Sequence, residues 1–138
     1  MQIEKLDHLV LTVRDIEATC AFYAKVFGMQ IVTFADNRRA LSFGEHKINL
    51  HERGKEIAPN ALRPTPGSAD ICLITRTPLS DVILIARHHG VEVLDGPVAR
   101  TGATGPLASV YFRDPDGNLI EVSNYAGNRS GVPTEGER

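Results

Sequence analysis

Hydrophobic and polar residues alternate in several short stretches of the chain and recur at helical spacing in two others. Residues 6–13, Leu-Asp-His-Leu-Val-Leu-Thr-Val, alternate as in a strand, which places His8 on the same face as Val10. From Asp15 the apolar residues follow a helical period until Gly28, and these two residues suit the N-cap and the C-cap. Short strands are predicted next at residues 30–35, 39–43 and 47–52. The order of elements is β-α-β-β-β.

The same order returns after a segment rich in proline and glycine, residues 54–67, which we interpret as a linker. A strand is predicted at residues 69–75, a helix at residues 79–89 ending before Gly90, and strands near residues 91–94, 109–113 and 118–123. Residues 100–106 form a glycine-rich loop in this interpretation, and residues 126–138 a flexible tail. One βαβββ module cannot cover both faces of its sheet. We therefore predict an α+β fold with two tandem modules, residues 4–53 and 68–125, in a single domain of residues 1–138.

The two halves align with each other at two offsets. An offset of 62 places His8 on Asp70, and a looser offset of 70 places His51 on Glu121. Four polar residues then occupy two equivalent pairs of positions, in the first and last strands of each module. If these strands are neighbours, the four side chains converge, and two imidazoles with carboxylates suit Fe(II), Mn(II), Ni(II), Co(II) or Zn(II). The sequence predicts a site for one divalent ion.

Each of these residues also has a purely structural explanation. Glu121 follows the turn Asp114-Pro115-Asp116-Gly117-Asn118 and has apolar neighbours, so a buried carboxylate there needs a partner, although a strand-end glutamate can also face solvent. His8 suits a hydrogen-bonded core, His51 a strand end at the surface, and Asp70 a turn or cap. Their equivalent positions in the repeat favour the metal site.

Net charge and composition limit the kinds of partner that the protein is expected to bind. A formal net charge of −2 gives no reason to expect a nucleic acid or an anionic membrane. The apolar runs are too short to span a membrane and the N-terminus lacks a signal pattern, so a soluble cytoplasmic protein is expected. Cys20 and Cys72 lie in apolar segments and are interpreted as small buried hydrophobic residues. An anionic substrate has three candidate partners, although arginines in such places are also common in solvated rims: Arg39, Arg100 and Arg113.

Several segments together resemble the vicinal oxygen chelate superfamily, which includes glyoxalase I, fosfomycin-resistance proteins, bleomycin-binding proteins and extradiol dioxygenases. The resemblance covers residues 4–125 and is carried by four segments: residues 6–13, Phe22-Tyr23 with Phe27-Gly28-Met29, residues 47–51 and residues 112–121. Residues 66–70 with 96–97 and 100–103 are similar to the glyoxalase-domain-containing protein 5 subgroup, which has bacterial virulence-associated relatives.

The resemblance implies two βαβββ modules forming an incomplete barrel around a divalent metal, whose open positions chelate two adjacent oxygens of the substrate. It places His8, His51 and Glu121 on ligand positions. Asp70 departs from the usual histidine or glutamate at the fourth position. The resemblance also implies a homodimer, whose modules pair within one chain or between two.

The expected function is a metal-dependent lyase or isomerase of the glyoxalase type, which acts on a small substrate with vicinal oxygens. The metal would stabilise an oxyanion or enediolate, and Glu121 would be a ligand with possible duty as a base. Two alternatives stay open: a ring-cleaving dioxygenase that uses Fe(II), and a metal-free module that binds a drug or metabolite. No residue identifies a glutathione site.

Overall fold

The computed structural model describes residues 1–128, and they form two compact units. The first unit comprises Met1–Ala69 with Pro115–Gly117, and the second comprises Asp70–Asp114 with the described residues from Asn118 onward. Of the tail predicted to be flexible, residues 129–138 lie outside the described residues. Ala126–Asn128 form a short 3-10 helix after the last strand.

The first unit is one βαβββ module. Its elements are β1 (His8–Val13), α1 (Ile16–Phe27), β2 (Gln30–Phe34), β3 (Arg38–Phe43) and β4 (His46–Glu52). The sheet has the order β1-β4-β3-β2, in which β1 and β4 are parallel and the other neighbours antiparallel.

Helix α1 begins and ends where the sequence predicts. Asp15 is the N-cap, with its side chain accepting a hydrogen bond from the Ala18 N–H at 3.1 Å. Gly28, at φ +68°, closes the helix in the left-handed conformation that favours glycine. The helix contacts β2, β3 and β4. The core beside it is apolar: Cys20, Tyr23, Val26, Leu11, Val13, Leu41, Ile48 and Leu50.

The second unit repeats the module with the same topology. Its elements are β5 (Asp70–Ile74), α2 (Leu79–His88), β6 (Asp95–Thr101), β7 (Pro106–Arg113) and β8 (Leu119–Tyr125). The sheet has the order β5-β8-β7-β6, with β5 and β8 parallel. The predicted α+β fold of tandem βαβββ modules is confirmed, and neither four-stranded sheet closes on itself.

The strand predicted at residues 91–94 is wrong. The N–H of Val91 donates to the Ala86 carbonyl at 2.8 Å, so this segment completes the end of α2. Pairing with β7 starts only when the N–H of Leu94 donates to the Tyr111 carbonyl at 2.8 Å. The strand that follows, β6, takes in Arg100 and Thr101, which the sequence had placed in the glycine-rich loop. The loop is therefore a tight hairpin turn between β6 and β7.

Hydrogen bonds within the Asp114-to-Asn118 turn fix the start of β8. The Asp114 carboxylate accepts hydrogen bonds from the backbone N–H of Asn118 at 2.9 Å and from its side-chain amide at 2.8 Å. Both residues are buried, and Gly117 adopts φ +89°. The turn predicted from the Asp-Pro-Asp-Gly sequence is confirmed, and β8 carries Glu121 three residues after Asn118.

Among the described residues, neither helix is long and apolar enough to cross a membrane.

Candidate functional site

Strand pairing in the two units shows which residues are equivalent in the repeat. His8 pairs with Lys47 in the first unit, and Asp70 pairs with Leu119 in the second. With His8 placed on Asp70, β4 therefore aligns with β8 at an offset of 72, not at the predicted offset of 70. Glu121 is equivalent to Asn49, and the predicted equivalence of His51 with Glu121 is wrong.

His51 lies on the same face of the first sheet as His8 but far from it along the strands. It pairs with Thr12, four residues beyond the position of His8, which is about 13 Å along the strands at roughly 3.3 Å per residue. Its side chain is buried, and its Nε2 lies 3.4 Å from a terminal guanidinium nitrogen of Arg38. Burial, followed by the charge of Arg38, lowers the pKa of His51 below its ordinary value. A neutral imidazole that accepts a hydrogen bond from Arg38 explains this environment without a metal.

Asn49 is a candidate ligand that the sequence reasoning missed. It is 6% exposed, and within the described part of the chain its Oδ1 is buried without a hydrogen-bond partner. A buried acceptor without a donor costs free energy unless something else binds it. The residue shares a sheet face with His8, which is placed two residues away on the neighbouring strand. The only signal in the sequence was the offset of 72 between the last strands.

His8 has the environment of an oriented histidine. Its Nδ1 lies 2.8 Å from Oδ2 of Asp7, which leaves Nε2 available on an exposed ring. Histidines that bind metals usually donate their other ring N–H to a carboxylate or carbonyl in this way. The first unit thus offers His8 Nε2 and Asn49 Oδ1 as possible ligands.

Glu121 lies at the centre of a polar cluster in the second unit. One of its carboxylate oxygens, Oε2, accepts hydrogen bonds from Ser109 Oγ at 2.6 Å and from Ser123 Oγ at 3.4 Å. The two hydroxyls lie 2.7 Å apart and both serines are fully buried. The expectation that this carboxylate needs partners is confirmed. The two hydroxyls therefore fix the carboxylate of Glu121 through Oε2.

Asp70 is exposed at the start of β5, on the same face as Glu121. Its pairing partner, Leu119, precedes Glu121 by two residues, so this pair of carboxylates has the same register as His8 and Asn49. Among the described residues, the structure contains no group of three or more His, Cys, Asp or Glu side chains placed so that they could hold a metal ion.

Two further side chains surround Glu121. Cys72 pairs with it across β5 and β8, and the thiol lies 3.4 Å from Ser123 Oγ. Cys72 is exposed, which makes the prediction of a buried hydrophobic residue wrong, whereas Cys20 is buried as predicted. Partial burial of the thiol still raises the pKa of Cys72. On the other side Tyr111 pairs with Glu121, and desolvation raises the pKa of its hydroxyl.

The three arginines proposed from the sequence have different environments. Arg39 makes an ion pair with Glu17 of α1, with a shortest distance of 2.7 Å, and so belongs to the helix side of the sheet. Arg100 donates from Nε to the Tyr111 hydroxyl at 2.9 Å, close to the cluster around Glu121. Arg113 is exposed at the end of β7. Of the three arginines, Arg100 is therefore the one that contacts the pairing partner of Glu121.

Sequence comparison extends over almost the whole chain. Residues 5–122 match the model of the glyoxalase/bleomycin resistance protein/dioxygenase superfamily. Virulence protein STM3117 of Salmonella typhimurium is 57% identical over 91% of this chain and 87% of its own length. Glyoxalase domain-containing protein RDO1 of Mycosarcoma maydis is 49% identical over 91% of this chain and 70% of its own length.

Structural comparison agrees with the sequence. The crystal structure of STM3117 superposes with a TM-score of 0.89, covering 91% of this chain and all of that one. The fosfomycin resistance protein FosX of Listeria monocytogenes, in complex with Mn(II) and sulfate, has a TM-score of 0.65 and 20% identity. The superposition covers 91% of this chain and 94% of the FosX chain. Because the sequence identity is low, this likeness concerns the fold alone. The chain belongs to the glyoxalase/bleomycin resistance protein/dioxygenase superfamily.

Proposed function

We propose that the protein is a divalent-metal-dependent lyase or isomerase of the glyoxalase type, acting on a small substrate with vicinal oxygens. One observation carries the proposal: the carboxylate of Glu121 is fixed through Oε2 by the two buried hydroxyls of Ser109 and Ser123. Outer hydrogen bonds of this kind orient ligating carboxylates in metal sites. Superfamily membership supports the proposal, and FosX of Listeria monocytogenes, which shares the fold, is in complex with Mn(II).

The proposed ligands are His8, Asn49, Asp70 and Glu121. This set keeps three of the four residues predicted from the sequence and replaces His51 by Asn49. The replacement is supported by the buried, unpartnered Oδ1 of Asn49 and by the Arg38 cation beside His51. One nitrogen and several oxygens suit Mn(II), Fe(II), Co(II), Ni(II) or Zn(II).

In this proposal each side chain has a defined task. Asp7 holds the His8 ring through Nδ1, and Ser109 and Ser123 hold Glu121 through Oε2. The Glu121 carboxylate would help to hold the ion or would accept a proton from the substrate carbon next to a carbonyl. The bound ion supplies Lewis-acid stabilisation of the developing oxyanion. Tyr111, with Arg100 on its hydroxyl, offers polar contacts beside that carboxylate.

Calorimetric titration of chelator-treated protein with Mn(II), Ni(II), Co(II), Zn(II) and, without oxygen, Fe(II) tests the ligand set. We expect one equivalent per chain for at least one ion, with binding lost in H8A and E121A. H51A and the matched surface control H88A should keep the full stoichiometry. Loss of binding in H51A with retention in N49A would restore His51 as the ligand. A wild-type protein that binds none of these ions would contradict the metal-dependent enzyme and favour the metal-free binding module.

Activity assays with the ion found separate the two enzymatic alternatives. Isomerisation of a 2-oxoaldehyde adduct, without oxygen uptake, is the expected result. Oxygen consumption with a catechol in the Fe(II) form would instead identify ring-cleaving dioxygenation. The expected homodimer stays a prediction, which light scattering after size-exclusion chromatography can test.

A further inference from the structure

The face of the first sheet that carries His51 also holds two cations. Strand pairing places Arg38 on this face beside His51, and Lys47 two residues from Asn49. Arg39, the neighbour of Arg38, points to the opposite face and pairs with Glu17. This alternation separates the two arginines, and only Arg38 shares a face with His51.

Within the described part of the chain neither cation forms a close ion pair, although Lys47 interacts electrostatically with the Asp7 carboxylate at longer range. No carboxylate lies within ion-pair distance of Arg38 or Lys47, whereas Arg14, Arg39 and Arg100 each have one. Both cations instead lie against the ring of Phe34, with Arg38 Cζ 5.1 Å and Lys47 Nζ 3.9 Å from its centroid. A ring in this position attracts and orients cations without cancelling their charge.

Arg38 also carries an unused donor. Its Nε is buried and has no hydrogen-bond acceptor among the described residues. A terminal nitrogen of the same guanidinium is held by the buried His51 at 3.4 Å, which limits the orientations of the group. Arginine binds oxyanions most strongly through two parallel N–H donors of its fork. A half-buried, oriented and unneutralised guanidinium is therefore arranged to receive such an anion.

We propose that Arg38 and Lys47, with Arg38 positioned by His51, form a subsite for a carboxylate or phosphonate group of a small ligand. The subsite deepens the proposed function, because it specifies an anionic substrate. It assigns His51 to orienting an arginine instead of binding a metal. The physical basis is complementary charge at a half-buried position, where water screens the attraction less than it does at the surface.

The test is a nuclear magnetic resonance titration of the full chain in its metal-free form, following the Nε–H signal of Arg38. Acetate, methylphosphonate and inorganic phosphate are the anionic probes, and ethylene glycol is the neutral control. We expect a saturable shift for at least one anion and none for the diol. R38M should weaken binding about tenfold or more, as expected when a charge-assisted hydrogen bond is lost. R38K, which keeps the charge and loses the fork, should fall between wild type and R38M.

The matched control is R53M, because Arg53 is an exposed arginine of the same unit, placed directly after β4. It should bind the anions like wild type, and K47M should bind them more weakly. Equal weakening in R53M and R38M, or no saturation at about 10 mM anion, would overturn the subsite. Because metal-free protein is used, that result would leave the metal proposal intact. If the protein binds no divalent metal ion, the anion titration still tests the subsite, because it is carried out on metal-free protein.

Discussion

Replacement of Ser109 by alanine removes the shortest hydrogen bond that Glu121 receives. Ser109 Oγ lies 2.6 Å from Glu121 Oε2 and 2.7 Å from Ser123 Oγ, and neither serine is exposed. A hydrogen bond to a charged group contributes roughly 1.5–3 kcal/mol to stability. Ser123 stays 3.4 Å from the same oxygen, which is too long to replace the lost bond fully. We therefore expect S109A to lower the free energy of unfolding by about 2–3 kcal/mol.

Urea unfolding of the metal-free protein measures this effect. S109C, which keeps a weak donor at the same position, should lose less stability than S109A. S80A removes an exposed serine of α2 and should stay within about 0.5 kcal/mol of wild type. Similar stability of S109A and S80A would refute the reasoning about the hydroxyl pair. If Glu121 binds the ion, S109A should also weaken ion affinity about 10- to 100-fold in calorimetry.

Three further predictions concern the turn, the thiols and the linker. D114A leaves the buried amide groups of the turn before β8 without their acceptor, so unfolding experiments should show a loss of about 2–4 kcal/mol, whereas D114N should lose less. In native protein one thiol, that of Cys72, should react with Ellman's reagent, and Cys20 should react only after denaturation; two fast equivalents would contradict the burial of Cys20. The raised pKa of Cys72 should make its reaction slower at neutral pH than that of a free thiol. Gly67 has φ +84°, and a Cβ there would meet a backbone carbonyl at 2.6 Å. G67A should therefore lower the thermal midpoint by several degrees, and an unchanged midpoint would argue against this contact.

The fold was predictable because its signals are local. Helix α1 begins at its N-cap, Asp15, and ends at its C-cap, Gly28, as the sequence indicates. Alternating apolar residues mark most of the strands. The exception is β6, since the segment after α2, residues 91–94, contains three apolar residues but begins with Val91 hydrogen-bonded to the helix end. Its strand begins at Asp95, where pairing with β7 supplies the hydrogen bonds. Pairing between strands that are distant in sequence cannot be predicted from the local amino-acid composition.

Candidate site residues were harder to predict, because their environment depends on which neighbours the sheet supplies. Glu121 was identifiable as a charge in an apolar strand, but its two serine partners come from β7 and from the same strand two residues later. Arg38 was overlooked in favour of Arg39, although alternation along β3 separates them onto opposite faces. Assigning a face to each arginine required knowing that Arg39 meets Glu17 on α1.

The assignment of His51 shows a limit of periodicity. Offsets of 70 and 72 between the last strands differ by two residues, which is the side-chain period of a strand. Both offsets therefore place the same set of residues on the same face, and the hydrophobic pattern cannot distinguish them. Backbone pairing does distinguish them, because His8 with Lys47 and Asp70 with Leu119 fix the offset at 72. That register aligns Asn49 with Glu121 and leaves His51 beside Arg38. A shift of two residues therefore changes the role proposed for His51 from binding a metal to orienting an arginine.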